Sequence, residues 1–355
     1  MATQMPFMQE TPQALPEVTL IQMITARWVS QAIAVAARLG IADLLGDGPQ
    51  SCAELAAKAG AHTGSLYRLL RALSSVGIFA EDVAEDGTEA GQARFRLTPL
   101  AEPLCANTPG SLRGVAIMFG EPWSVQPWGD LLRSVQTGET AFDRAFGIGA
   151  FDYFSQHPDT GKIFEQSMNG FTALSADAVL AAYDFSAFRT LVDVAGGHGI
   201  LLAAILRNYP SLQGILFDAP QVVAGSRKVL EAAGLADRCV SVGGDFFASL
   251  PQGGDAYLMK NIIHDWDSER CIAILRNCRR AVAANGKLLI VDAVIEPGNA
   301  PAFGKLMDLE MLVMTQGGRE RTAAEFRTLL DAAGFHLTRI VPTPSPFSIV
   351  EGAPA

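Results

Sequence analysis

The chain has 355 residues, 49% of them hydrophobic and 18% charged, which allows a sizeable core and excludes extended disorder. A formal net charge of -10 works against a nucleic-acid backbone or an anionic membrane as the main partner. No basic stretch precedes an apolar run at the N-terminus, and no run of about 18 apolar residues is free of charge, so a cytoplasmic protein of two domains with a helical connection is expected.

Residues 17 to 46 read as strongly apolar helix, with Ile21, Ile24, Trp28, Ile33, Ala37 and Leu44 among the hydrophobic positions. Such a face needs a partner surface, and a dimer contact is favoured over packing within its own domain. Ser51-Cys-Ala-Glu54 has the spacing of a capping box. One short helix ends at Gly60, a second covers 65–73, and Val76-Gly-Ile-Phe79 leads through an acidic loop to Phe95-Arg-Leu-Thr98. Helix, helix and hairpin in that order predict a winged helix.

The usual meaning of that module is DNA binding, with Arg68 and Arg71 on the recognition helix. Here the wing carries Glu81, Asp82, Glu85, Asp86 and Glu89, and residues 1–110 are net negative by about four charges, which phosphates would repel. The module is therefore expected to be structural or dimerising, and a DNA-binding, ligand-sensing regulator stands as the rival. From about 110 to 180 the chain reads as helical and rich in large apolar side chains, mostly core, with some expected to cover a ligand opening. The expected division is 1–108, a connecting segment 109–180, and 181–355.

From about residue 188 strands (190–194, 214–217, 239–242, 256–260, 287–291) alternate with helices (200–208, 221–233, 268–284), and 335–341 with 347–350 reads as a terminal hairpin. This is the pattern of a doubly wound α/β sheet, with ligands at the carboxyl ends of its strands. Its most informative stretch is Leu191-Val-Asp-Val-Ala-Gly-Gly-His-Gly199, where an apolar strand carrying Asp193 enters a glycine-rich turn before a helix. Glycines let bare backbone and a helix N-terminus approach a ligand. Asp218, at the tip of the next strand, is placed to accept from a ribose diol. The G-x-G-x-x-G fingerprint of dinucleotide enzymes is incomplete, because Leu202 stands where the third glycine belongs. A nucleoside without pyrophosphate, S-adenosylmethionine, is favoured over NAD.

After the third strand, Gly243-Gly-Asp-Phe246 offers Asp245 and Phe246 to hold an adenine by its amino group and its face. The fourth strand ends at Lys260, and His264-Asp-Trp266 follows. A histidine at this edge is a candidate base if a carboxylate orients one ring nitrogen, and Asp292 and Glu320 are the candidates for that. The five cysteines form no C-x-x-C pair, Cys271 and Cys278 lie about 10 Å apart along one helix face, and the histidines are scattered without metal-like spacing. Reduced thiols and no metal are expected.

Thr190 to Gly199, Phe217-Asp-Ala-Pro220, Gly243-Gly-Asp-Phe246, Lys260 through His264-Asp-Trp266, and Arg319-Glu-Arg-Thr322 together resemble, in order and spacing, the plant caffeic-acid-type O-methyltransferases. They equally resemble bacterial relatives acting on polyketides, phenazines and carotenoids, and the likeness covers nearly the whole chain. It implies a class I methyltransferase sheet, Rossmann-like, preceded by a helix-rich winged-helix domain that forms a homodimer. It also implies Gly196 and Gly197 against the methionine part of S-adenosylmethionine, Asp218 on the ribose, Asp245 and Phe246 on adenine, and Lys260 along the cofactor.

His264 is then the general base, flanked by acids at the positions of Asp292 and Glu320. Phe151, Phe164, Met168, Met307 and Met311 fall where relatives line the acceptor pocket. Two residues depart from the family. Ala195 replaces the first glycine of the triplet, a small change expected to leave backbone contacts intact, and Asp292 stands where Glu is common, which makes Glu320 the safer orienting group. The expected reaction moves a methyl group to a hydroxyl of a small aromatic or polyketide-like metabolite, releasing S-adenosylhomocysteine. Full prior deprotonation of a phenol by an ordinary histidine is uphill by about 5 kcal/mol, so the proton is expected to leave as the methyl moves. N-methylation of an amine, and diversion to decarboxylation or hydroxylation, remain as alternatives.

Overall fold

A computed structural model of the chain describes residues 15–82 and 89–355. Glu85 and Asp86 of the expected acidic wing lie outside the described residues. The chain divides into two compact units: the described residues up to Val125 together with Asp159–Phe171, and Gln126–Pro158 together with Thr172–Ala355. The helical stretch between the N-terminal module and the sheet is thus shared, and the long helix Pro158–Ala182 contributes to both units.

In the first unit, helix Pro16–Arg38 starts with proline in its first turn and acidic Glu17, both suited to a helix N-terminus. The expected helix over 17–46 is interrupted: Gly40 takes φ +67° and a separate short helix, Ile41–Leu44, follows. Only Ala34, Ala36 and Ala37 of the first helix are buried, while Ile21, Ile24 and Trp28 are exposed, Trp28 by 71%. Among the described residues this is the one helix long and apolar enough, by length and composition, to cross a membrane.

Helix Cys52–Ala59 has the reciprocal Ser51–Glu54 capping box that its sequence predicts, and it ends at Gly60 with φ +63°. Helix Thr63–Ser75 follows. Strands β1 (Gln50–Ser51), β2 (Phe79–Glu81) and β3 (Arg94–Leu97) form an antiparallel sheet in the order β1-β3-β2. Leu55, Leu66, Leu70, Phe79 and Phe95 fill the space beneath it. The winged-helix arrangement is therefore present, with Arg68 and Arg71 on the exposed face of the second helix.

The second unit is built on a seven-stranded sheet of β4 (Thr190–Val194), β5 (Gln213–Asp218), β6 (Cys239–Gly243), β7 (Ala256–Lys260), β8 (Lys287–Asp292), β11 (Phe335–Pro342) and β12 (Ser348–Pro354). The short strands β9 (Val294–Ile295) and β10 (Arg321–Thr322) pair in parallel beside it. The sheet order is β11-β12-β8-β7-β4-β5-β6, with β4 to β8 parallel and β12 antiparallel to both neighbours. After β4 the chain adds strands first on one side and then on the other. The carboxyl end of β4 is therefore the switch point at which such sheets open a crevice. Helix Ile200–Asn208 buries Leu202, Ile205 and Leu206 against Leu216 on one face, and helices Ser268–Ala281 and Ala323–Ala333 bury Ile274, Leu275, Phe326 and Leu330 on the other.

At the antiparallel edge, Glu351 of β12 is 4% exposed yet fully satisfied. It accepts from Tyr183 Oη at 2.8 Å, Thr338 Oγ1 at 2.7 Å and Arg339 Nε at 3.0 Å, with Lys287 Nζ at 3.3 Å. Burial pushes this carboxyl up, but Thr338, Tyr183, Arg339 and Lys287 outweigh it and hold it down at about 2. A carboxyl depressed in the folded state contributes stability that is complete above its unfolded value of about 4.3 and is lost as pH falls through its folded value. Glu351→Gln is expected to cost about 3 kcal/mol at pH 7, as removal of one partner from a buried charged network does. Chemical denaturation should also show this difference between the variants shrinking from about pH 4.3 down to 2; a pH-independent difference would contradict the assignment.

Candidate active site

The turn after β4 is shaped by its glycines. A side chain on Gly196 would strike Asp193 and come within 2.6 Å of Leu216 Cδ1, while Gly197 and Gly199 take φ +59° and +79°. Ala195 N donates to Phe217 O at 2.7 Å, and Asp218 accepts from Gly197 N at 2.8 Å and Ala219 N at 2.6 Å. Turn and second-strand acid are thus locked together. Ala195 sits at φ +54°, which costs a non-glycine residue about 1–2 kcal/mol. Its departure from the family pattern is therefore a point of strain rather than a neutral change.

Asp245 is exposed and its Oδ1 accepts from Phe247 N at 2.8 Å. Phe246 is half-buried and sits 6.1 Å from Trp266, edge to face. The loop is fixed from below by Asn277, a buried amide whose Nδ2 donates to Phe246 O at 2.7 Å and Phe247 O at 2.9 Å. Sequence reasoning missed Asn277. Its signal was a polar residue in register with Cys271, Ile274 and Cys278 on the apolar face of their helix.

Lys260 ends β7 with its Nζ 5.0 Å from the centre of the Phe347 ring. Burial pulls its ammonium down to about 8, against the opposing pull of Asp292 and Asp193. His264 stands in a single 3-10 turn, Ile263–Asp265, and is 6% exposed. Its Nδ1 lies 2.7 Å from Glu320 Oε1, and its Nε2 is 3.6 Å from Asp265 Oδ1. Asp292, at the end of β8, instead accepts from Asn261 N at 2.8 Å. Glu320 is therefore the acid hydrogen-bonded to the imidazole, and Asp292 acts on it only through its charge. Burial alone would depress the imidazole, but Asp265, Glu320 and Asp292 outweigh it and raise it to about 9. Burial also raises Asp292, lifts Asp265 to about 6, and, with Asp218 adding, lifts Asp193 to about 7.

Asp193 Oδ2, Asn261 Oδ1, Asp292 Oδ2 and Glu320 Oε2 are buried without a hydrogen-bond partner. Buried acceptors left unpaired demand an explanation, and these four lie at or beside the carboxyl ends of neighbouring strands β4, β7 and β8. A ligand that brings donors and positive charge to that edge would satisfy them. Among the described residues, no group of three His, Cys, Asp or Glu is arranged to hold a metal ion.

Helix Phe303–Met314 carries Met307 and Met311, with Met311 buried. Beside the imidazole turn, Phe151 stacks on Trp266 at 5.6 Å and 25°. Both rings line a cavity of about 440 Å³, together with Phe247, Asp265, Arg270 and Met314. Phe164 and Met168, also expected to line an acceptor pocket, lie on the part of helix Pro158–Ala182 that belongs to the first unit.

Comparison with known proteins gives a consistent picture. Residues 128–336 match the family model of the O-methyltransferase domain, and residues 21–107 match that of the O-methyltransferase dimerisation domain. The chain is 51% identical over 335 residues to the phenazine O-methyltransferase PhzM of Lysobacter antibioticus, covering 94% of this chain and 95% of the relative. It is 35% identical over 352 residues to the 8-amino-8-demethylriboflavin N,N-dimethyltransferase of Streptomyces davaonensis, covering 97% and 98%. The solved structure of CalO1, a methyltransferase in calicheamicin biosynthesis in its SAH-bound form, superposes with a TM-score of 0.80 at 35% identity, covering 96% of this chain and 98% of that one.

The loop carrying Glu320 runs against the imidazole turn with no space for a side chain at Gly318: an added Cβ would strike Thr315 Oγ1 and come within 2.6 Å of His264 O. Gly318→Ala is expected to cost about 1–3 kcal/mol and to lengthen the His264–Glu320 contact. Thermal unfolding at the wild-type temperature would show that the loop moves aside freely.

Proposed function

The chain belongs to the O-methyltransferase family, and on that premise we propose that it transfers a methyl group from S-adenosylmethionine to a hydroxyl of a small planar aromatic metabolite, with His264 as general base. The observation that carries this reading is the buried His264–Glu320 pair beside unpartnered carboxylate oxygens at the sheet's carboxyl edge. Gly196 and Gly197 would lie against the methionine portion of the cofactor, Asp218 would accept from the ribose, Asp245 and Phe246 would hold adenine, and Lys260 would lie alongside. When bound, that cofactor supplies a methyl group on a positively charged sulfur.

Glu320 holds Nδ1, so Nε2 is the nitrogen left to take the acceptor's proton. In the free protein Asp265, Glu320 and Asp292 keep the imidazole protonated at neutral pH. A positive charge brought among the same carboxylates lowers it again, because like charge disfavours the imidazolium. A base positioned in this way is typically worth about 10²- to 10⁴-fold. Phe151, Met307 and Met311, all in the second unit, would supply apolar surface for an aromatic acceptor.

A second reading, transfer to an aromatic amine, is favoured by the raised imidazole, since a neutral amine is nucleophilic without a base. N-methylating relatives such as the riboflavin-derivative dimethyltransferase support it. Dimer formation through the exposed Ile21, Ile24 and Trp28 face of helix Pro16–Arg38 is part of the proposal.

His264→Ala is expected to keep S-adenosylhomocysteine binding by calorimetry while transfer of isotopically labelled methyl to a hydroxylated acceptor falls by about 10²- to 10⁴-fold. Asp218→Ala should weaken that binding instead. Turnover near wild type in His264→Ala would sink the base assignment and leave the amine reading. Light scattering on Trp28→Glu should report a monomer where wild type is a dimer, and an unchanged mass would refute this interface.

A further inference from the structure

His264 sits in a turn of three residues, too short for a helical ladder to fix it. Its position therefore depends on what the surrounding backbone groups bind. Ile263 O accepts from Arg321 Nη1 at 2.7 Å and from Cys271 Sγ at 3.2 Å. Trp266 O accepts from Arg321 Nη2 at 2.7 Å and from Cys271 Sγ at 3.4 Å. The two carbonyls flanking the His264-Asp265 pair are thus both held by the same guanidinium and share the single S–H proton of the same thiol. His264 O itself accepts from Arg319 N at 2.8 Å.

We infer that Arg321 and Cys271 are positioning residues that clamp the imidazole turn so that His264 stays on Glu320, an inference resting on the proposed role of His264. Arg321 is 1% exposed, and among the described residues it forms no ion pair with a carboxylate. Burying a guanidinium is costly unless its donors are used, and here Nη1 and Nη2 donate to the carbonyls of one turn, with Nη1 also reaching Arg319 O at 3.2 Å, while Nε has no partner. Arg321 directly follows Glu320 in the chain. Arg319 N, Glu320 Oε1 and the Arg321 fork therefore fasten one segment to the turn at successive residues. The segment is itself held, by Asp308 Oδ1 accepting from Glu320 N at 2.9 Å and by the pairing of β10 with β9. Neither Arg321 nor Cys271 touches a reacting atom. Their task is geometric, and a misplacement of about 1 Å in such a site costs on the order of 10²-fold in rate.

Arg321→Lys is the informative change, because it keeps the positive charge near Asp292 but replaces the planar two-nitrogen fork with a single, flexibly held nitrogen. The readout is the titration of the His264 ring in protein carrying ring-labelled histidine, assigned among the five histidines with His264→Gln. Around that ring stand Asp265 of the turn, Glu320 of the facing segment and Asp292 of β8.

With the clamp loosened, Glu320 pulls the imidazole up less while burial still pulls it down. The midpoint should then fall by about one pH unit, a tenfold loss of proton affinity. Cys271→Ala should move it in the same direction by less, and it decides the matter if Arg321→Lys does not fold. Glu351→Gln, which loosens the far network at Tyr183 and Arg339, should lower stability and leave the midpoint in place. An unmoved midpoint in a folded Arg321→Lys or Cys271→Ala would overturn the inference. The titration needs no acceptor and no methyl transfer, so failure of His264 as a base would appear separately, as retained turnover in His264→Ala.

Discussion

Negative charge buried around a single imidazole is the constraint from which the rest of this site follows. Asp265, Asp292 and Glu320 all act on His264, and each is mostly or wholly removed from solvent. An acid in such surroundings is costly to ionise unless something positive is near. The folded chain supplies a protonated imidazole, the Lys260 ammonium and the Arg321 guanidinium, and still leaves carboxylate oxygens without donors. A crevice built this way is stabilised by a cationic visitor and is poor at holding an anionic one. The preference for a sulfonium nucleoside over a pyrophosphate-bearing dinucleotide, read first from a missing glycine, has an electrostatic basis as well.

The sheet was readable because its strands are short apolar runs closed by turn residues. The strands 190–194 and 256–260 were located to the residue, and the others to within one or two except the terminal β12, which runs further. Asp218, Lys260 and His264 were readable for a related reason, since each is a polar residue at the end of an apolar strand or just beyond it. The pairing of His264 with Glu320 rather than Asp292 also followed from the shorter arm of aspartate. The cost of Ala195 was not readable, because left-handed backbone is a property of the folded turn and alanine gives no local sign of it.

Asn277, Cys271 and Arg321 escaped for another reason. Their partners are main-chain carbonyls, up to 58 residues away in sequence, and a carbonyl leaves no mark in a sequence. Each could be suspected only as a polar or reactive side chain on an otherwise apolar face. The break in the first helix at Gly40 is of the opposite kind. Its signal, a glycine within an apolar run, was present but outweighed by the greasiness around it.

Asn277 and Cys271 belong to the same helix, Ser268–Ala281, and that has an evolutionary consequence. One fastens the loop proposed to carry adenine, the other the turn bearing the imidazole, and the rise between them is about 9 Å. This helix therefore works as a ruler between the two halves of the chemistry. Adding or deleting a residue between the two anchors would rotate one of them by about 100° off its carbonyls, so length there is frozen. The aromatic walls around Phe151, proposed to face the acceptor, carry no such gauge, so a change of residue there shifts neither anchor.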